Sequence, residues 1–299
     1  MTGRGHDGPA DVREIVATHL PGRRTGSVVR LGEGLDNVAY EVDGELVVRF
    51  GKEPDRVRRA ALVRHEARVL SAVAGISPLP VPEPLFTVEE RGCLAYRKLP
   101  GVPLLDMPRH RRADHVTSIA ATLGAFLAVL HAVPVDRAAG LVDTDHPSPT
   151  EWLRQAAETH ATVAGRIPAS HRRPVESFLE TAPPPAGRTV VFSHNDLGIE
   201  HVLVDPVTWA VTGVIDWSDA AVVDPAHDFG LLHRDLGPAA TCAALAGYRP
   251  GADDLTALRE RAVFYARCGV FEDLAHGIET DQNTYVDKSL AAMGWLFPS

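Results

Sequence analysis

Residues 190–228 read VVFSHNDLGIEHVLVDPVTWAVTGVIDWSDAAVVDPAHD. An apolar run, Val190 to Phe192, leads into the polar loop His194-Asn195-Asp196-Leu197. A β-branched run follows from His201 to Asp205, and after Pro206 another, Val211 to Ile215, ends on Asp216. Short apolar runs separated by polar and proline punctuation predict strand, loop, strand, turn, strand, with Asp196 and Asp216 at strand ends. Two acids displayed on loops by a short rigid hairpin suit metal-assisted phosphoryl transfer: one carboxylate accepts a hydroxyl proton and the other holds Mg²⁺.

The spacing sharpens this. The kinase pattern H-R-D-L-x-x-x-N followed by D-F-G is nearly met, with His201 five places after Asp196 and Asp216-Trp217-Ser218 in the D-F-G position. Downstream, Asp224-Pro225 predicts a helix with Asp as N-cap and Pro at its first position, which makes Asp224 and Asp228 structural.

Upstream, residues 11–25 predict a short helix, and Val28 to Phe50 predict strand, glycine loop, strand, Asp43-Gly44 hairpin, strand. The loop Gly32-Glu33-Gly34-Leu35-Asp36-Asn37 would let backbone N–H groups reach phosphate oxygens. An ordinary hairpin loop reads the same way, and no crossover helix follows as a dinucleotide-binding fold requires. Asp55 to Ala74 predicts a helix with Val57, Ala61, Leu62, Ala67, Leu70 and Val73 on or near one face, and Glu66 inside it. In the kinase plan a cation on the third strand contacts phosphates and pairs with a helix glutamate. Arg49 holds that place, with Lys52 as the alternative, while Glu66 beside Arg64 and Arg68 equally reads as a solvated helix charge. Prolines at 78, 80, 82 and 84 make an extended connector to strands at Leu85 to Val88 and Cys93 to Arg97. The segment Lys98 to Leu104 then leaves the strand as a hinge would, offering backbone around Arg97 and Leu99 to a purine edge; an ordinary strand exit has the same sequence.

From residue 114 the chain reads as mainly helical. Ile119, Leu123, Phe126, Leu127 and Leu130 fall at helical spacing, with His131 as a helix-end residue. Trp152 to Ile167, His171 to Ala182 and three or four segments between Pro238 and Leu296 follow as helices, the acids of the tail reading mostly as solvated faces. The composition, 45% hydrophobic and 23% charged over 299 residues, is that of a globular chain with ample core. Three scattered cysteines indicate neither a disulfide framework nor a zinc finger. Residues 1–100 carry 15 Lys/Arg and 14 Asp/Glu and residues 101–299 carry 15 and 25, so a basic nucleic-acid face is not evident. The acidic second part would attract a cationic small molecule, although acidity also serves solubility. No stretch reads as a membrane span and the start carries no apolar run, so the expectation is a cytoplasmic protein without membrane or nucleic-acid partners.

The glycine loop, Val47-Val48-Arg49-Phe50, Glu66, the Tyr96 to Leu104 segment, the His194 to Asp205 loop and Gly213 to Asp228 come in the order of the aminoglycoside phosphotransferase family. The chain resembles in particular its 2″-phosphotransferases, which similarly read H-N-D-L-x-x-x-H. The resemblance runs from about residue 28 to 235. It implies an α+β, bilobal, protein-kinase-like fold: a small antiparallel sheet lobe at 1–98 that binds nucleotide, and a larger, mainly helical catalytic and substrate lobe at 99–299. It further implies ATP or GTP and Mg²⁺ as cosubstrates and transfer of the γ-phosphoryl group to a hydroxyl; with the charge balance, the expectation is a small, cationic, aminoglycoside-type acceptor and a monomer. Carried over by position, Asp196 is the base and His201 and Asp216 are metal ligands. Gly32, Gly34, Asn37, the Arg49–Glu66 pair, Arg97 and Leu99 contact the nucleotide. Three departures stand out: arginine replaces the usual lysine at 49, histidine replaces the commoner asparagine at 201, where Mg²⁺ prefers oxygen, and bulky Tyr96 at the hinge entry would disfavour adenine, which leaves ATP and GTP both open.

Overall fold

Asp43 and Gly44 adopt φ values of 54° and 72°, the left-handed pair that a two-residue hairpin turn requires. A computed structural model describes residues 8–34, 36–144, 147–249 and 254–298, and the chain divides after Pro100 into two units. In the first, helix α1 (Pro9–His19) precedes strands β1 (Val28–Glu33), β2 (Asn37–Val42) and β3 (Leu46–Gly51), helix α2 (Arg56–Ala74) and strands β4 (Pro84–Val88) and β5 (Cys93–Arg97). The strands form one antiparallel sheet in the order β1-β2-β3-β5-β4. Strand alternation sends Val38, Tyr40, Val42, Leu46, Val48 and Phe50 to the face that α1 covers with Val12, Ile15 and Val16. Arg49, of opposite parity, therefore points the other way, where Glu66 of α2 meets it.

Asp55 caps α2, accepting from Arg58 N at 2.8 Å, which offsets one orphan amide and is worth about 1 kcal/mol. The inward face of α2 is not the expected one. Val63, Val69, Leu70 and Val73 are buried, whereas Val57 and Leu62 are 78% and 50% exposed. Of the expected stripe only Leu70 and Val73 are buried outright. The helix is rich in alanine and arginine, so its few large apolar residues leave the phase of the stripe ambiguous.

In the second unit, strand β6 (Val102–Pro103) is followed by helices α3 (Arg109–Leu130), α4 (Val135–Ala138), α5 (Pro149–Val163) and α6 (Ala169–Leu179). Strands β7 (Val191–Ser193), β8 (Val202–Val204), β9 (Val211–Val214) and β10 (Ala221–Val223) come next, then helices α7 (Ala226–Leu236), α8 (Pro238–Leu245), α9 (Leu255–Glu279) and α10 (Asn283–Leu296). Strands β8 and β9 form the expected hairpin, with β6 on the far side of β8, but β7 pairs with β10 instead. Two small sheets thus bracket the 194–201 loop. Helix α3 is long and apolar enough, by length and composition, to cross a membrane, contrary to the sequence expectation. Here it is a packed helix of the unit: Ile119, Leu123, Phe126, Leu127 and Leu130 are buried, and Gly124 abuts α8 so closely that a Cβ there would lie 2.6 Å from Ala244 Cα.

Two further expectations change. Helix α7 starts at Ala226, with Pro225 rather than Asp224 at its N-cap position. The Asp224 carboxylate accepts from Ala226 N at 2.9 Å and also anchors α9, taking Arg261 Nε at 2.6 Å. Of the tail acids, Asp273 is buried, Asp254 caps α9, and Asp253 lies outside the described residues.

Candidate active site

The loop between β7 and β8 and the residue that follows Ile215 share an unusual backbone. Asn195 and Asp216 hold φ values of 66° and 60°, left-handed conformations that non-glycine residues visit at a cost of about 1 kcal/mol or more. Such conformations persist only where the surroundings impose them, and here the partners are explicit. Asn195 N donates to Asp228 Oδ1 at 2.9 Å, and its side-chain amide donates to Asp219 O at 3.0 Å. Asp228 also accepts from Ser193 Oγ (2.6 Å), His194 N (3.2 Å) and His131 Nε2 (3.1 Å). Burial opposes the Asp228 charge, yet these donors and the neighbouring His131 and His194 hold its pKa down at about 2.

His194 has both ring nitrogens engaged: Nε2–H donates to Ile215 O at 3.0 Å and Nδ1 accepts from Asp196 N at 3.3 Å. Burial lowers its pKa to about 4, so it is neutral at pH 7. With both nitrogens engaged, the ring is a brace between the two acid-bearing loops.

Asp196 keeps 36% of its side chain open to solvent. Enclosure by the surrounding atoms, aided by Glu200 and Asp219 against the opposing His201 and Arg234, pushes its pKa up to about 6. His201 Nδ1–H donates to the Asp196 backbone oxygen at 2.8 Å, which leaves Nε2 as the nitrogen facing Asp216 Oδ2, 3.9 Å away. Ser218 Oγ donates to the other carboxylate oxygen of Asp216 at 2.8 Å. An imidazole nitrogen and a carboxylate oxygen at that separation fit a shared divalent cation, each oriented by a hydrogen bond to a different group, His201 by the Asp196 carbonyl and Asp216 by Ser218. Glu200 lies within the same group: ligand atoms of Asp196, Glu200 and His201 all fall within 4.8 Å of one another. Its carboxylate, however, is taken by Lys288 Nζ at 2.7 Å.

In the first unit, Arg49 Nη1 donates to Glu66 Oε1 at 2.7 Å, both side chains largely buried. Lys52 instead folds onto the glycine loop, its ammonium 2.6 Å from Gly34 O and 2.6 Å from Glu33. Gly34 N donates to Asn37 O at 2.9 Å, closing the loop. Among the described residues, a Cβ at Gly32 or Gly34 would meet nothing within 4 Å, so the chain's own packing asks for glycine at neither place. Arg97 ends β5 opposite Leu46, and Leu99 lies just beyond. Leu35 lies outside the described residues.

Sequence reasoning missed three supports. Asp228 is a buried anchor of the loop backbone and not only a helix-start acid. His131 does end α3, at its C-cap, but it is also buried, hydrogen-bonded to Asp228 and 2.8 Å from the Tyr248 hydroxyl. Lys288 is buried on α10, and its place on the stripe with Val286, Ala292 and Met293 was the available signal that a lysine there needs a buried partner. A cavity of about 600 Å³, bounded by Arg109 and Arg112 of α3 and Asp287, Lys288 and Leu290 of α10, has neither Asp196 nor Asp216 in its lining.

Comparison with known proteins adds the decisive observation: the model of the phosphotransferase enzyme family matches residues 27–263. The chain belongs to that family. This phosphotransferase is 27% identical over 287 residues to viomycin phosphotransferase of Streptomyces vinaceus, which covers 89% of this chain and 96% of that protein. Its fold matches the GDP complex of aminoglycoside 2'-phosphotransferase-IIIa with a TM-score of 0.70 at 24% identity, over 95% and 96% of the two chains. It also matches macrolide 2'-phosphotransferase MphH of Brachybacterium faecium (TM-score 0.61, 26% identity, 94% and 97%). The phosphotransferase therefore has the α+β, kinase-like fold of this family, with an N-terminal antiparallel sheet and a mainly helical C-terminal part.

Proposed function

We propose that the protein transfers the γ-phosphoryl group of ATP or GTP to a hydroxyl of a small, cationic, aminoglycoside-type antibiotic. The observation that carries this is Asp196: a carboxylate partly open to solvent, with its pKa raised to about 6, beside the His201–Asp216 pair. Asp196 accepts the acceptor hydroxyl proton as the oxygen bonds to the γ-phosphorus and the nucleoside diphosphate leaves. His201 and Asp216 would hold Mg²⁺, which when bound supplies positive charge to the phosphate oxygens. His194 and Asp228 keep both acids in place.

In the first unit, proposed as the nucleotide-binding lobe, Arg49 contacts phosphate while Glu66 orients it. The glycine loop at Gly32 and Gly34 leaves open space that a phosphate group would use, with Asn37 closing its base. The backbone around Arg97 and Leu99 takes the nucleobase. The GDP complex of the aminoglycoside phosphotransferase above favours testing GTP beside ATP. The cationic acceptor is supported by the acidic excess of residues 101–299, 25 Asp/Glu against 15 Lys/Arg. A second reading, viomycin as acceptor, is favoured by the likeness that spans 89% of the chain. The setting proposed is a cytoplasmic monomer.

The test is nucleotide consumption by the purified protein with Mg²⁺ and ATP or GTP over aminoglycosides, viomycin and macrolides. Stimulation by a cationic acceptor, lost in Asp196→Ala, is the expected result. Phosphorylation confined to neutral or anionic acceptors would overturn the acceptor assignment.

A further inference from the structure

The turn immediately before His201 is secured from the far end of the chain. Lys288, on α10, is buried, and its ammonium lies 2.7 Å from Glu200 Oε2, 3.2 Å from Asp273 Oδ1 and 3.5 Å from Asp235 Oδ2. Arg234 completes the cluster, donating to Asp235 from Nε at 2.7 Å and from Nη2 at 3.0 Å, with Nη2 also 3.7 Å from Glu200 and 3.8 Å from Asp273. Asp235 Oδ2 in turn accepts from Ile199 N at 3.0 Å, while Ile199 O accepts from Leu105 N at 3.0 Å. His201 N donates to Gly198 O at 3.0 Å and closes the turn. The Glu200 carboxylate is folded over Gly198 so tightly that a Cβ there would sit 2.5 Å from Oε1.

Burying two cations and three carboxylates is an inefficient way to gain stability, because desolvation consumes much of the Coulomb attraction. What the cluster does achieve is local: through Asp235 it fixes the backbone N–H of Ile199, whose carbonyl Leu105 N holds from the other side, and through Lys288 it fixes the side chain of Glu200, so that both residues preceding His201 are held. The orientation of His201 depends on that turn, since its Nδ1–H is committed to Asp196 O and only rigid placement of the backbone keeps Nε2 aimed at Asp216. We propose that Lys288 is a positioning residue of the metal site, acting through Glu200 to hold the turn that presents His201 to Asp216. This rests on the reading of His201 and Asp216 as metal ligands. It ties the divalent-cation affinity of the catalytic loop to a helix more than eighty residues downstream.

The experiment measures Mn²⁺ binding by electron paramagnetic resonance, with saturating imido-ATP and imido-GTP in parallel, on four variants. Lys288→Met combined with Glu200→Gln removes one charge of each sign and so keeps the cluster's charge balance. This pair is expected to weaken Mn²⁺ binding by about 10–100-fold, as loss of a support behind a metal ligand does, while metal-free nucleotide affinity stays unchanged. Lys288→Arg, which keeps the cation, should restore most of the affinity. Gly198→Ala retains every charge, displaces Glu200 and should weaken Mn²⁺ in the same direction, which serves if the double variant does not fold. Asp216→Asn separates the two readings. If it loses Mn²⁺ while the double variant, or Gly198→Ala, binds Mn²⁺ as tightly as the wild type, the positioning role is wrong and the metal site stands. Unchanged Mn²⁺ affinity in Asp216→Asn would overturn the metal site and the positioning role with it.

Discussion

Replacing Asp228 by Asn keeps the size of a fully buried side chain and removes its charge. The native carboxylate accepts from Ser193 Oγ, Asn195 N, His131 Nε2 and His194 N at 2.6–3.2 Å. Its pKa of about 2 in the folded protein compares with 3.8 ordinarily. At about 1.36 kcal/mol per pH unit, that gap corresponds to about 2.4 kcal/mol of stability at neutral pH. Because the folded value lies below the unfolded one, this contribution is complete above the unfolded pKa and is lost as pH falls through the folded one. Asn offers one acceptor and turns an NH₂ toward donors, so the expected loss at pH 7 is about 2–4 kcal/mol. For a protein of this size that is a fall in Tm of about 5–15 °C. Equilibrium urea unfolding followed by tryptophan fluorescence gives the number at pH 7, and the gap to wild type should narrow toward pH 3. Turnover should fall as well, since the Asn195 backbone loses the anchor that imposes its left-handed φ. A variant within about 0.5 kcal/mol of wild type at pH 7, the range of an ordinary surface change, would refute the anchoring role.

Asp196→Asn should cut phosphoryl transfer by about 10²–10⁴-fold with nucleotide affinity retained. It should also raise Tm at pH 7, because the site holds the carboxyl at a pKa above its ordinary value and so disfavours the charged form; an unchanged or lower Tm would count against that. In the wild type the base must be ionised, so kcat/KM should fall as pH drops through about 6, and a profile flat to pH 4.5 would argue for another base. Arg49→Ala and Glu66→Ala should each raise the KM for nucleotide by about tenfold, with the double variant little worse than either, since the two side chains are in direct contact and act as one unit. Gly124→Ala should cost about 1–3 kcal/mol by forcing α3 from α8. Gly269→Ala, mid-helix with open space at the Cβ, should instead gain up to about 1 kcal/mol, both read by denaturant unfolding.

Much of the scaffold was legible along the chain because it rests on local rules. Asp43-Gly44 specified its hairpin through two positive φ values, and alternation in β2 and β3 set which face is core and left Arg49 on the other. The strand-loop-strand rhythm from Val190 to Asp216 placed both acids before any fold was known. Helix α2 shows where local pattern fails: with few large apolar residues its inward face was chosen by what the sheet offered, and Val57 and Leu62 ended in solvent.

The sequence by itself determined the fold class and singled out the acids of the proposed site, since periodicity, turn chemistry and the spacing of His194, Asp196, His201 and Asp216 are properties of neighbouring residues. Tertiary structure alone decided what those acids are held by and how they titrate. Asp228 beneath the loop, His131 against Tyr248, and Lys288 on Glu200 join residues far apart in the chain. A buried charge is tolerated only where a partner has been folded against it, and such partners leave no periodic trace in the sequence.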